Sequence, residues 1–142
     1  PEEVAGMTVL VKDEGFVADD LAGATFLPLD ALGEAPEGEL AVEFPNDRDP
    51  AELLPWLDRV GVVRVAFPAM VDGRGLSIAR RLRAMGYHGR LRAAGPLIVD
   101  QVRAARRVGF DEIELPDSVA RRQPEALWKA APAPSYRARI FG

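Results

Sequence analysis

Two glycine-bearing segments hold most of the residue types that could do chemistry in this chain. The first, FPAMVDGRGLS, spans residues 67–77, and the second, AAGPLIVDQ, spans residues 93–101. Glycines let a ligand approach backbone amides, arginine offers paired donors to an oxyanion, and helix N-termini favour negative charge. These features predict a site for a small anion or a phosphorylated ligand. The candidate ligand-binding residues are Asp72, Gly73, Arg74, Gly75, Ser77, Arg80, Arg92, Gly95 and Gln101.

The two acids in these segments, Asp72 and Asp100, are also the candidates for catalysis. As neighbours they would form an acid and base pair for proton transfer. In the alternative interpretation Asp72 caps a helix, the glycines form a tight turn, and Arg74 or Arg80 pairs with a carboxylate. Both interpretations stay open, because DGRG matches neither the dinucleotide-binding GxGxxG pattern nor the phosphate-loop GxxxxGK[ST] pattern.

The composition limits the available chemistry and the compartment. The chain has no Cys and one His, which excludes disulfides, thiolate nucleophiles, cysteine-bound iron–sulfur clusters and multi-histidine metal sites. We therefore expect neither a metal nor an iron–sulfur cluster, whereas a flavin held by its phosphate stays open. No apolar run is long enough to span a bilayer and no secretory signal is evident, which predicts a cytoplasmic protein without membrane contact.

Positive charge is concentrated in the middle of the chain. The net charge is −4, yet residues 71–109 contain nine arginines and two acids. A basic region within an acidic protein favours a localised anionic ligand or an acidic protein partner over nucleic acid. Alternatively, Arg103, Arg106 and Arg107 form an ordinary solvated helix face.

Alternating apolar segments with glycine and proline boundaries predict successive βα units. The predicted strands cover residues 39–44, 62–67, 91–94 and 112–115, after a first strand that begins near Met7. The predicted helices begin at Asp49, at Ser77, after Pro96 and near Gln123. This order predicts one α/β domain with a mainly parallel sheet. Residues 1–38 would form an N-terminal arm on the core, residues 39–130 the βα core, and residues 131–142 an extended tail.

Four predicted strands each carry a charged residue near the middle. Alternation places Glu43, Arg64, Arg92 and Glu114 on the sheet face opposite the apolar residues. Helices would then lie mostly on one face, and the sheet would curl like part of a TIM barrel around mutually compensating charges. An incomplete barrel suggests closure by a second subunit, hence a homodimer. In the alternative interpretation these are edge strands with solvent-facing charges.

The residues in this region resemble those of a known family. The pattern DGRG-L-S-I-AR-x-LR starts at Asp72 and is followed by Y-x-G-x-LRA-x-G, DQ and R-x-GFD, ending at Asp111. It is similar to a bacterial domain-of-unknown-function family encoded beside assimilatory sulfite or nitrite reductase genes, whose members are often labelled as oxidoreductases of sulfite reduction. Leu76 and Pro96 depart from the pattern, which usually has an aromatic residue and a polar residue there.

The resemblance implies a role in assimilatory sulfite reduction. The first hypothesis is an accessory protein that binds a small anion or phosphorylated ligand at the C-terminal ends of its strands. The alternative is a non-catalytic docking or assembly partner of sulfite or nitrite reductase, with the basic segment as its contact surface. Nucleic acid and membrane are not expected partners.

Overall fold

One seven-stranded sheet organises the protein. The computed structural model describes residues 8–68 and 73–129. The strands are β1 (Thr8–Lys12), β2 (Gly15–Val17), β3 (Leu27–Pro28), β4 (Leu40–Phe44), β5 (Val60–Ala66), β6 (Arg90–Ala94) and β7 (Glu112–Pro116). Their order across the sheet is β2-β1-β7-β6-β5-β4-β3. Strands β3 to β7 run parallel, and β1 is antiparallel to both its neighbours, which confirms the predicted, mainly parallel α/β class.

In the described part of the chain, four α-helices and two 3₁₀ helices connect or follow these strands. The α-helices are α1 (Arg74–Ala84), α2 (Val99–Val108), α3 (Asp117–Ala120) and α4 (Glu125–Trp128). The 3₁₀ helices span Leu29–Glu34 and Pro50–Trp56. The second replaces the helix predicted from Asp49, because Pro55 lies inside it and cannot donate a backbone hydrogen bond. Asp49 still caps it by accepting from Ala51 N at 2.9 Å.

One face of the sheet packs against α1 and α2. Each parallel connection leads to the next strand in the same direction, and such connections are almost always right-handed, so their helices share one face. The sheet side chains of this face are apolar and buried: Val63, Val65, Leu91, Ala93, Ile113 and Leu115. They join Ile78 and Leu82 of α1 and Val102 and Ala105 of α2 in the main core. We call this the helix-packed face.

Residues on the N-terminal side of β3 cross the opposite face of the sheet, which carries no helix of the described residues and which we call the helix-free face. Residues 18–26, here called the crossing segment, join β2 at one edge of the sheet to β3 at the other. Asp19 lies 3.0 Å from Arg92 of β6, and Phe26 lies under the guanidinium of Arg64 of β5 at 4.0 Å. The predicted arm therefore supplies β1, the two edge strands β2 and β3, and the segment that covers the second face.

The sheet is open and uncurled, so the predicted TIM-barrel-like curl is not confirmed. A barrel would need β3 and β7 to approach each other, but β7 pairs instead with the antiparallel strand β1. The homodimer prediction rested on barrel closure and stays a prediction. The predicted tail, residues 131–142, lies outside the described residues. In the described ranges the longest helix has 11 residues, and none could cross a bilayer.

Candidate functional site

The two predicted loops meet at the same edge of the sheet. Each follows a parallel strand, the first after β5 and the second after β6. Phe67 N donates to Ala94 O at 2.8 Å, and Gly95 N donates to Glu114 O at 3.1 Å, which continues the ladder past the strand ends. Asp72 lies outside the described residues, so its pairing with Asp100 stays a prediction.

Two of the three glycines in the predicted site have a packing role. A Cβ atom at Gly75 would lie 2.3 Å from the ring of Phe67. At Gly95 it would lie 1.9 Å from the Phe67 carbonyl oxygen, and its φ of +153° disfavours other residues as well. Gly73 differs, because it is exposed and has no such contact. Gly75 and Gly95 therefore hold the two loops against Phe67.

The remaining candidates of the second loop act at the start of α2. Gln101 Oε1 accepts a hydrogen bond from Ile98 N at 3.1 Å and so satisfies one free donor of the helix N-terminus. Asp100 is exposed and lies 3.5 Å from Arg103, one turn along the same helix. An exposed pair of this kind contributes little to stability.

Arg92 lies away from these loops, on the helix-free face. Its side chain is fully buried and donates to Glu112 at 2.6 Å and to Glu114 at 2.9 Å, with Asp19 at 3.0 Å. Burial is the largest single influence on the guanidinium and lowers its pKa, but the hydrogen bonds to Glu112 and Glu114 and the charges of Glu112 and Asp19 together raise the pKa above its ordinary value. The structure thus separates Arg92 from Gly73, Ser77 and the other loop candidates.

The charges predicted on the second face form one connected network. Arg64 donates to Glu43 at 2.6 Å and to Glu114 at 3.3 Å, and Glu114 also accepts from Arg92. This confirms mutual compensation of the four predicted residues. The sheet residues of what we call the charged face are Lys12, Glu43, Arg64, Arg90, Arg92, Glu112 and Glu114.

Five members of this network were missed from the sequence: Lys12, Asp19, Asp20, Arg90 and Glu112. Arg90 and Glu112 lie two residues before Arg92 and Glu114 in their strands, so strict alternation would have identified them. Asp19 and Asp20 lie on the crossing segment, for which no local pattern exists. Asp20 pairs with Arg90 through two hydrogen bonds of 2.9 and 3.0 Å.

A basic cleft separates α1 from α2 on the outer surface. It has a volume of about 390 Å³ and is lined by Leu76, Arg80, Arg83, Ala104, Arg107 and Val108. Arg80 and Arg107 are exposed, and no carboxylate lines the cleft in the described chain. Arg74 and Ser77 are exposed on the first turn of α1. The two exposed guanidinium groups of Arg80 and Arg107, with no acid in the described lining, favour binding of an anionic group.

Arg83 forms the inner wall of this cleft and is held by backbone carbonyls. It donates to Gly109 O at 2.7 Å and to Gly89 O at 2.7 Å, and it pairs with Asp111 at 2.9 Å. Asp111 in turn accepts from Leu91 N at 2.9 Å. This cluster ties the end of α1 to the starts of β6 and β7. Arg83 is therefore a structural residue rather than a free ligand group.

A second, more apolar groove lies between the start of α2 and the helices after β7. Its volume is about 440 Å³, and its lining includes Ile98 and Leu127, two exposed apolar side chains. Within the described ranges, no cluster of three or more metal-ligating side chains is present. The flavin hypothesis stays a prediction.

Comparison with known proteins identifies the family. A family model described as a bacterial protein of unknown function, DUF934, matches residues 41–137. The match covers the parallel strands β4 to β7, the basic cleft and most of the charged face. No curated protein and no solved structure matches the chain. More than half of the chain fits this one model, and the protein therefore belongs to the DUF934 family.

Proposed function

We propose that this protein is an accessory of assimilatory sulfite reduction that docks onto an acidic surface of its partner through the outer side of α1 and α2. The observation that carries this proposal is the charge of these helices. Together they contain seven arginines and a single acid, Asp100. Such a surface attracts an acidic partner and orients it during the encounter.

Five of these arginines point outward. Arg83 and Arg106 donate to backbone carbonyls and are mostly buried, whereas Arg74, Arg80, Arg81, Arg103 and Arg107 are exposed. Arg81 and Arg103 have acidic neighbours, Asp49 and Asp100, in exposed ion pairs that an incoming carboxylate can replace at little cost. The basic cleft lies at the centre of this surface.

A docking role also agrees with what the predicted site residues do. Gly75 and Gly95 pack on Phe67, Gln101 caps α2, and Arg92 is buried among carboxylates. These residues shape the helices and their loops, and the exposed arginines lie on the elements they hold in place. The resemblance described for the 72–111 region supports sulfite reductase as the partner, with nitrite reductase as the related case.

A binding assay with purified assimilatory sulfite reductase tests the proposal. We expect a complex at about 50 mM NaCl that is largely lost at about 500 mM, because salt screens exposed charges. The variant Arg80→Glu/Arg107→Glu should abolish the complex. The control variant Arg122→Glu/Lys129→Glu reverses two exposed charges elsewhere on the protein and should bind normally. Equal binding by both variants, or no complex at low salt, contradicts docking through the cleft.

A second candidate function is binding of a small anion in the same cleft. It is favoured by the volume of about 390 Å³ and by the exposed guanidinium groups of Arg80 and Arg107, which suit a sulfate, sulfite or phosphate group. Calorimetric titration with these anions and with adenosine phosphosulfate tests it. No heat at millimolar ligand, or binding that persists in Arg80→Ala/Arg107→Ala, removes this candidate and leaves docking unaffected.

A further inference from the structure

We propose that the charged face contains a separate binding site for a dianionic oxyanion, such as a sulfate or a phosphate monoester, centred on Arg92 and occupied in the structure by Asp19 and Asp20. This site lies on the face of the sheet opposite α1 and α2. It does not depend on the docking function, because none of its residues belongs to the basic cleft.

Arg92 is fully buried, yet one of its nitrogens is left without a partner. Nε and Nη1 donate to carboxylates of Glu112 and Glu114. Nη2 is buried and has no hydrogen-bond partner among the described residues. Its nearest acidic oxygen is Oδ1 of Asp20 at 3.6 Å, beyond hydrogen-bonding distance. A buried guanidinium donor without an acceptor is costly, so this position favours an additional oxygen atom.

The crossing segment places two carboxylates where such an oxygen would bind. Asp19 contacts Nη1 of Arg92, and Asp20 pairs with Arg90 while approaching Nη2 of Arg92. Three of their oxygens, Oδ1 of Asp19 and both of Asp20, therefore imitate an anion that bridges two neighbouring arginines. The imitation is incomplete, because neither aspartate reaches Nη2.

The charge of the face matches a dianion. Its sheet residues comprise four bases and three acids, a net charge of +1, and the two aspartates bring it to −1. A bound sulfate or phosphate group that displaces both aspartates leaves the net charge unchanged. The oxygens of the tetrahedral group can also accept hydrogen bonds from both arginines at once.

The crossing segment is attached mainly by these polar contacts. None of residues 18–26 belongs to the apolar core of the described chain, and Phe26 contacts the face by covering the guanidinium of Arg64. The side chain of Asp20 is 56% exposed. Exchange with a ligand requires that the Asp19 and Asp20 side chains rotate toward solvent, which also breaks the hydrogen bond from Leu21 N to Asp19 Oδ1, while the strands stay paired.

Removing the two internal carboxylates tests the site. The variant Asp19→Asn/Asp20→Asn should bind inorganic sulfate or phosphate at least tenfold more tightly than the wild-type protein, measured by calorimetry with each anion separately. In the wild type the aspartates compete at an effective concentration on the order of millimolar. The control Asp47→Asn/Asp58→Asn raises the net charge equally at exposed positions and should show no such gain.

Further variants make the result decisive. Adding Arg90→Gln to the double variant should abolish the gain, because it removes one of the two bridged arginines. Should the double variant not fold, Asp20→Asn alone should still bind severalfold more tightly, since this side chain is half exposed. The proposal is overturned if Asp19→Asn/Asp20→Asn binds the anions no more tightly than the control variant does. It is also overturned if adding Arg90→Gln leaves the affinity of the double variant unchanged. Arg80→Glu/Arg107→Glu, which disrupts docking, should leave this affinity unchanged.

Discussion

On the helix-packed face of the sheet, Val63, Leu91 and Ile113 lie against apolar side chains of α1 and α2, whereas on the other face their strand neighbours Arg64 and Arg92 lie among carboxylates. The first face is stabilised by the apolar surface area that it buries and by side chains that fill the interior volume, so one apolar side chain can replace another of similar size. The stability of the second face depends on the ion-pair partners of its charged residues. Its residues contribute according to which charge remains when one of them is removed.

The largest effect is expected from Arg92→Met. The change removes the guanidinium from three carboxylates and leaves Glu112 buried, with Arg90 as its nearest base. Breaking a buried ion pair on one side typically costs about 3–5 kcal/mol, to be measured by urea unfolding. Glu43→Gln, at the exposed margin of the same face, should cost less than about 1 kcal/mol. Similar losses of unfolding free energy in both variants would show that burial does not determine how much each residue of the charged face contributes to stability.

A smaller loss is expected from Leu82→Ala on the helix-packed face. Leu82 of α1 is fully buried in the core, and its truncation leaves a cavity that should cost about 3 kcal/mol. Leu54→Ala, at a position 54% exposed, should change the unfolding free energy by less than about 0.5 kcal/mol. Leu82→Met should recover most of the loss because it restores volume. If Leu82→Met recovered no stability, the shape of the side chain rather than its volume would determine the stability of this face.

The smallest effect is expected from pH acting on Asp20. Its hydrogen bond from Arg90 lowers the pKa of the carboxyl below the ordinary value. The folded protein therefore holds this proton less tightly than the unfolded chain, and the stabilisation present at neutral pH is lost as the pH falls below about 4. The stability difference between wild type and Asp20→Asn should shrink between pH 7 and pH 3. A constant difference would exclude Asp20 as the titrating group.

Much of the fold was accessible from the sequence because it follows local patterns. Alternation located β4 to β7 within two residues and identified Arg64 and Arg92 as facing away from the helices. Gly109 ends α2 with a φ of +115°, as the glycine predicted. The helix predicted to begin at Ser77 starts at Arg74, so Gly75, which was predicted in the loop, lies in its first turn.

The rest depends on contacts between distant residues. The pairing of β1 with β7, and the route of residues 18–26 across the sheet, join positions about 70 to 110 residues apart, which no periodicity encodes. For the candidate site, the residue types predicted where the polar loops lie. They could not distinguish residues that pack from residues that bind a ligand. Gly95 is needed beside a carbonyl oxygen, and Arg92 lies on another face.

The antiparallel pairing of β1 with β7 also has a consequence for synthesis in the cell. Val9 pairs with Leu115, so β1 awaits a strand that the ribosome produces 106 residues later. At roughly 5–20 residues per second, this delay lasts about 5 to 20 seconds. Until then β1 has only the three-residue strand β2 beside it, and a two-stranded hairpin is marginally stable in water. Until β7 is made, the unpaired edge of β1 therefore exposes backbone groups that can pair with other chains.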